Sequence, residues 1–382
     1  MKFSVLIPTY GRREDLLRTL EAYERQEPAD LAFEVVVIDD GSSDGTAEAL
    51  ACWRSRRFPL RFARQQNAGP ARARNHAREK ARGELVLITG DDIEPAANLL
   101  AEHLAGHEAR DDERIAVLGL TRWPDTWPAS WPDGRAITAT MQHVDGPGAQ
   151  QFSYHYFKDG AEYDFRHLYT SNISLRRSLL DREPAGFATV FPAAAFEDAE
   201  FGHRLAFHGL RIIYRAAAVA EHHHPYTSSG FYRRQVRCGE MGALLFAHHP
   251  ELKKWLGLEE LERRRLELLV AGTTCDRRFE DLQRRAVRIA ERFEASAAPG
   301  LDDFLRPLFH LGYVQGLATA HFGAEAGRRV AASIFFETLP IAAHGLRKRL
   351  AEAGWPRNFS DLEALASAAD EADDDLDLSD GP

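Results

Sequence analysis

Glu34-Val-Val-Val-Ile-Asp-Asp-Gly-Ser-Ser-Asp-Gly-Thr46 carries an apolar run, Val35 to Ile38, straight into two carboxylates and a string of turn formers. Such a run reads as a buried β-strand. Its end delivers Asp39 and Asp40 to the carboxyl edge of a sheet, where open α/β folds bind their ligands. Further along the pattern recurs: Leu85-Val-Leu-Ile88 runs through Thr89-Gly90 into Asp91-Asp92. Two strand ends that finish in acid pairs predict one site for a cation and a polar, hydroxyl-rich ligand.

Around these stretches strands and helices alternate. Phe3–Ile7 is a predicted strand, and Leu16, Leu17, Leu20 and Tyr23 mark one face of a helix. A helix is expected from about Asp44, a candidate N-cap, through Trp53, then a short strand at Leu60–Ala63. Pro70 to Arg82 reads as a helix with proline in its first turn. A helix from Pro95 to about His107 and a strand at Ile115–Leu118 follow. Regular alternation predicts an α/β fold with a mainly parallel sheet flanked by helices.

Residues 121–165 break that rhythm. Trp123-Pro124, Trp127-Pro128 and Trp131-Pro132 recur every four residues, and the prolines forbid a helix. This stretch is expected to be a loop-rich insertion; long loops of this kind often serve as lids. Its flat tryptophan faces either stack on sugar rings or anchor the loop to the body. The first domain is predicted to span residues 1–228 and an α-helical region residues 229–365, with an acidic, disordered tail at 366–382. In the helical region, Arg328-Arg329, Ile334-Phe335-Phe336 and Arg347-Lys348-Arg349 make either an amphipathic packing helix or a patch for peripheral contact with a membrane.

Net charge is −10, but seven acids between Asp370 and Asp380 leave the rest of the chain at −3. No concentrated basic face is present, which argues against a nucleic-acid partner. No apolar run approaches the roughly 20 residues that a spanning helix needs. Met1-Lys2 leads directly into a strand and does not read as a signal peptide. Cys52, Cys238 and Cys275 show neither zinc nor disulfide spacing, so a reducing cytoplasm is expected.

Several motifs stand in one order along the chain: Ile7-Pro8-Thr9-Tyr10, Val37-Ile38-Asp39-Asp40-Gly41-Ser42, Asn67 to Asn75 ending Ala-Arg-Asn, Gly90-Asp91-Asp92, Thr170-Ser171-Asn172-Ile173, Phe196-Glu197-Asp198 and His222-His223-His224-Pro225. Together they resemble the family 2 glycosyltransferases of the GT-A fold, over roughly residues 1–235. That resemblance implies transfer of a sugar from a nucleotide-diphosphate donor to a carbohydrate or other hydroxyl acceptor, lipid-linked acceptors included, with inversion at the anomeric carbon. It also implies Mn²⁺ or Mg²⁺ as cofactor.

The residues suit those roles chemically. A carboxylate at Asp39 or Asp40 can accept the imide N–H of a uracil-like base, the alternative being that one of the pair caps the helix starting near Asp44. Pro8, Thr9 and Tyr10 lie beside the expected nucleotide, and guanidinium forks at Arg72 and Arg74 suit phosphates. Asp91 and Asp92 offer hard oxygen ligands, although Gly90 stands where the family carries the first Asp of Asp-x-Asp. His222, with His224 next, is expected as a metal ligand or diphosphate contact. Asp198 is expected as general base, with Glu197 positioning it or the acceptor, and the alternative for either is a helix cap. Ser171, Asn172, Trp123 and Trp127 are assigned to the acceptor side. Two rivals are a sugar nucleotidyltransferase, for which Ile7 to Arg13 has too few glycines, and a non-catalytic carbohydrate-binding scaffold.

Overall fold

The computed structural model of the chain describes residues 1–124, 154–272, 278–293, 298–355 and 359–368. Among them are nine strands: β1 Phe3–Thr9, β2 Phe33–Asp39, β3 Leu60–Arg64, β4 Leu85–Thr89, β5 Ile93–Pro95, β6 Ile115–Arg122, β7 Glu162–Tyr163, β8 Asn172–Arg176 and β9 Arg211–His222. The helices interleaved with them are α1 Arg13–Tyr23, α2 Thr46–Cys52, α3 Pro70–Lys80, α4 Leu99–Ala109, α5 Arg177–Leu180 and α6 Glu197–Phe207. The strands form one sheet in the order β3-β2-β1-β4-β8-β6-β9-β5, with β7 paired to β9.

The β3-β2-β1-β4 half is parallel, as the alternation of elements predicts. Every residue of β2 and β4 is buried, because helices cover both faces. On one face Val5, Ile7, Val35, Val37 and Leu87 pack with Leu16, Leu20 and Tyr23 of α1 and Leu99 and Leu100 of α4. Full burial of each such side chain stabilises by about 1.5–3 kcal/mol.

The other half is mixed. β8 runs antiparallel to both β4 and β6, while β6 and β9 are parallel. β5 pairs antiparallel with the end of β9, matching Ile93 to His222. Ile93–Pro95 is therefore strand, and α4 starts at Leu99 rather than at Pro95. β9 runs on to His222, because its far end has β5 and β6 as ladder partners.

The described residues divide into two compact units, one of residues 1–124 and 156–224, the other of residues 154–155 and those from Pro225 on. The second is helical: α7 Ser228–His248, α8 Leu258–Val270, α9 Phe279–Phe293, α10 Leu301–Phe322, α11 Ala324–Glu352 and α12 Ser360–Ala366. α7 and α10 approach closely through glycines. A Cβ on Gly239 would lie 2.0 Å from the Tyr313 carbonyl oxygen, and one on Gly316 would lie 1.9 Å from that of Val236. Phe335 is buried against Phe279 at 5.4 Å between ring centroids, so the Ile334-Phe335-Phe336 triplet is partly a packing element. No described helix is long and apolar enough to cross a membrane.

Two expected segments differ in detail. β6 runs through Arg122 and β7 forms at Glu162–Tyr163, so both ends of the 121–165 stretch are strand. At the far end α12 reaches Ala366 and Ala368 is buried, so regular structure extends into the stretch expected to be tail. Trp127, Trp131 and residues 369–382 lie outside the described residues.

Candidate active site

The parallel register places Thr9 opposite Asp39 at the carboxyl ends of β1 and β2, with β4 flanking β1 on its other side. The loops leaving these three ends carry most of the acids singled out above. Thr9 is buried and its Oγ1 donates to Asp91 Oδ2 at 2.7 Å, while Thr19 Oγ1 donates to the Asp91 carbonyl at 2.8 Å. Thr9 thus orients an acid. Pro8 is half-buried in β1, and Tyr10 is 58% exposed at the same rim, with its ring available to a ligand.

The ladder between β5 and β9 brings distant residues to this edge. His223 N donates to the Asp92 carbonyl at 2.8 Å, next to the Ile93–His222 pair. His222 Nε2 and His224 Nδ1 then stand 3.4 and 3.3 Å from Asp92 Oδ2. The ligand atoms of Asp92, His222 and His224 all fall within 4.8 Å of one another. One carboxylate and two imidazoles make a donor set that fits Mn²⁺ better than Mg²⁺, which prefers oxygen and water. Trp123 stacks on the His222 ring at 4.6 Å and is itself buried, so its ring packs against this imidazole and is not open to an acceptor sugar.

The two adjacent acids are held in different states. Burial pushes the Asp91 carboxyl up to about 7, Asp92 adding to the rise and Arg12 and Thr9 opposing it. Burial also acts upward on Asp92, but His222, His224 and Arg12 outweigh it and hold Asp92 well below the usual carboxylate range. Asp92 is therefore the more readily ionised of the two. A Cβ at Gly90 would lie 3.0 Å from Asp92 Oδ1 and 3.2 Å from Ile93 Cγ1, so a larger residue there crowds the acid that faces the histidines.

Asp39 and Asp40 separate cleanly. Asp40 accepts from Gln65 Nε2 at 2.7 Å, Ala68 N at 2.9 Å and Gly69 N at 2.9 Å. Both its oxygens are engaged in holding the turn that starts α3, which leaves it a poor acceptor for a base. Asp39 accepts from Ser42 N at 2.8 Å through Oδ1. Among the described residues its buried Oδ2 has no hydrogen-bond donor, with Arg64 Nε at 3.5 Å. A buried carboxylate oxygen in that condition is suited to a ligand N–H.

Behind this edge α3 meets α6. Arg74 Nη1 donates to Glu197 Oε1 at 2.6 Å, and the pair is buried. Arg74 is therefore committed to an acid and is not a fork held open for phosphate, whereas Arg72 is exposed. Asp198 is half-buried at the start of α6, and its Oδ1 accepts from Ala199 N at 2.8 Å. Burial and then the Glu197 charge push the Asp198 carboxyl up to about 7, against the lowering effect of Arg74. Phe196, immediately before the pair, sits at φ 65°, the one left-handed residue other than glycine among those described. For an aromatic residue that geometry is strained, and such strain collects at functional sites.

Asn172 departs from its expected role. It is 1% exposed; Nδ2 donates to the Ala218 and Leu120 carbonyls at 2.9 and 3.2 Å, and Oδ1 meets His103 Nε2 at 2.8 Å. It ties β8 to its neighbours and does not reach an acceptor. Ser171 is half-buried, its Oγ 3.1 Å from Thr121 Oγ1 and its carbonyl accepting from Thr89 Oγ1 at 2.8 Å. Arg12 is the residue that sequence reasoning missed. Its Nη1 bonds Asp92, and only the fold at the β1 edge reveals this.

Residues 4–182 match the model of the family described as "Glycosyl transferase family 2". This chain carries a family 2 glycosyltransferase domain. That domain is built on the α/β sheet described above, whose central strands are parallel. The chain is 40% identical to the uncharacterized glycosyltransferase YfnE of Bacillus subtilis over 121 residues, 31% of this chain and 30% of that protein. It is 28% identical to the validoxylamine A glucosyltransferase of Streptomyces hygroscopicus subsp. limoneus over 225 residues, 54% of this chain and 48% of that enzyme. The chain therefore spans less than half the length of these relatives. The crystal structure of Staphylococcus aureus TarS 1–349 is 18% identical, with a TM-score of 0.46, covering 98% of this chain and 92% of that one.

Proposed function

We propose that this protein moves a sugar from a nucleotide-diphosphate donor to an acceptor hydroxyl, with a divalent cation and inversion at the anomeric carbon. The observation that carries the reading is the convergence of Asp39, Asp91, Asp92, His222 and His224 on one sheet edge, with Asp40 fastening that edge to α3 and Arg74 fastening α3 to Glu197-Asp198. Fold alone does not fix function; this constellation is what favours group transfer.

In this reading Asp39 accepts the N–H of the base and Tyr10 covers its face. Arg72, exposed on the first turn of α3, serves the phosphates. Asp92, His222 and His224 would hold the cation, which supplies Lewis-acid stabilisation to the leaving diphosphate. Asp198 takes the proton from the acceptor hydroxyl. The acceptor oxygen then forms the new bond to the anomeric carbon as the bond to the diphosphate oxygen breaks, and the diphosphate leaves with that electron pair. The acceptor is a carbohydrate or another hydroxyl compound, and the setting is cytoplasmic or peripheral to a membrane.

The test is release of nucleoside diphosphate from a panel of UDP, GDP, CDP and dTDP sugars with Mn²⁺. Slow, Mn²⁺-dependent release from one donor, lost in Asp198→Asn, is the expected result. Binding without release from every donor would leave a non-catalytic scaffold. Release of pyrophosphate from a nucleoside triphosphate would point to a nucleotidyltransferase.

A further inference from the structure

The turn after β1 puts a cation of the protein's own into the acid and histidine cluster. Gly11, at φ 64°, turns the chain back after Tyr10, and its N–H is fastened to Ser42 Oγ at 2.9 Å. Arg12 then extends over the edge of β4. Its Nη1 bonds Asp92 Oδ2 and stands 3.4 Å from Asp91 Oδ1, while Nη2 stands 3.1 Å from His224 Nδ1. Asp92 Oδ2 is the same atom that His222 and His224 face. The guanidinium therefore uses an oxygen and an imidazole nitrogen from the set that fits a divalent ion.

Two adjacent carboxylates this buried are costly without a compensating positive charge. Arg12 supplies that charge, with 35% of its side chain still exposed. One oxygen cannot serve as a direct metal ligand, at about 2.0–2.6 Å, while a guanidinium nitrogen bonds it along the same approach.

Resting on the metal reading above, we propose that Arg12 is the resident counter-cation of this site, and that it must release Asp92 and His224 before Mn²⁺ or Mg²⁺ is held there. Metal affinity is then set by exchange of one cation for another. Arg12 acts as the competitor, not as a ligand.

The experiment is a titration of the full chain with Mn²⁺ alone, without nucleotide, following free Mn²⁺ by its electron paramagnetic resonance signal. Arg12→Gln is expected to bind Mn²⁺ at least about tenfold more tightly than wild type. Arg12→Lys, which keeps the charge and loses the fork, should fall between them. Asp92→Asn should abolish binding in both the wild-type and Arg12→Gln backgrounds. In chelator, Arg12→Gln should melt below wild type and recover on adding Mn²⁺. Should Arg12→Gln lose structure in chelator, Arg12→Lys carries the comparison. Equal or weaker Mn²⁺ binding in the Arg12 variants, or none in any background, overturns the exchange. Donor turnover is scored separately: Mn²⁺-dependent diphosphate release without tighter Mn²⁺ binding in the variants sinks the Arg12 proposal alone. Tighter binding without any donor turnover sinks the transferase reading alone.

Discussion

Arg74 Nη1 lies 2.6 Å from Glu197 Oε1, and this buried ion pair links the helix that follows the Asp40 turn to the helix start that bears Asp198. The two residues are far apart in the chain, yet together they set the charge felt by Asp198. Breaking a buried pair by removing one partner costs about 3–5 kcal/mol, because the other charge is left uncompensated. Arg74→Met is therefore expected to lower stability on that scale in chemical denaturation. Arg74→Lys should recover part of it, since a single ammonium lacks the planar fork. A loss under about 0.5 kcal/mol would mean that the pair holds nothing together.

Asp198 gives a sharp kinetic expectation. Asp198→Asn keeps the size and one acceptor oxygen but cannot take a proton. Turnover should fall by about 10²–10⁴-fold, the usual worth of a positioned base, with the affinity for the nucleotide diphosphate changed less than about twofold. Calorimetry on the variant separates the two quantities. Retained turnover would remove Asp198 from the mechanism.

The pH dependence follows from the same carboxyl. Its ionisation lies near 7, raised by burial and by Glu197, and the base works only when deprotonated. The rate should therefore rise with pH through about 7 and level off above. Glu197→Gln removes the like charge and should move this limb to lower pH; Arg74→Met removes the opposing one and should move it higher. Folding stability shows the opposite sign. A folded pKa raised above the unfolded value stabilises fully below the unfolded value, and that contribution is lost as pH rises through about 7. Limbs that stay fixed in both variants would separate Asp198 from the titration.

Asp39 and Asp40 should divide binding from stability. Asp39→Asn can keep the bond from Ser42 while presenting an NH₂ where Oδ2 now stands. Nucleotide affinity should drop about tenfold with little change in melting. Asp40→Asn loses a charged acceptor shared by Gln65, Ala68 and Gly69, and should destabilise by about 1–3 kcal/mol. The reverse outcome in the two variants would exchange their roles.

Asn172→Ala strips the Ala218 and Leu120 carbonyls of a shared donor and removes the Asn172 contact of His103 Nε2, while Nδ1 keeps Ser174. A loss of about 1–3 kcal/mol is expected, with donor affinity unchanged. A weakened acceptor KM without loss of stability would return Asn172 to the acceptor side.

Much of this architecture is legible in the sequence, and the reasons for success and failure differ by residue. The runs at Val35–Ile38 and Leu85–Ile88 identify the central strands because buried parallel strands read as continuous apolar stretches. β5 and the far end of β9 escape such a reading. Ile93-Glu94-Pro95 is too short for a periodic signal, and its strand geometry comes from pairing with β9. The acid pairs announce the site, but the roles within each pair are tertiary facts. Asp40 differs from Asp39 only in which donors the Gln65–Gly69 turn supplies. Asn172 and Trp123 carry polar and aromatic chemistry that suits sugars, and their burial behind the edge is invisible without the sheet order. Arg12 follows a single turn glycine, and nothing in its local sequence distinguishes it from Arg13.

The most direct measurement compares binding of the preferred nucleotide-sugar donor with Mn²⁺ and with chelator, in wild type and in Asp92→Ala. Strand-end acids that hold a cation beside an activated sugar predict at least tenfold weaker binding in chelator for wild type, and equally weak binding in both conditions for Asp92→Ala. Wild-type affinity that does not respond to the metal, or an Asp92→Ala variant that responds as wild type does, would contradict the account.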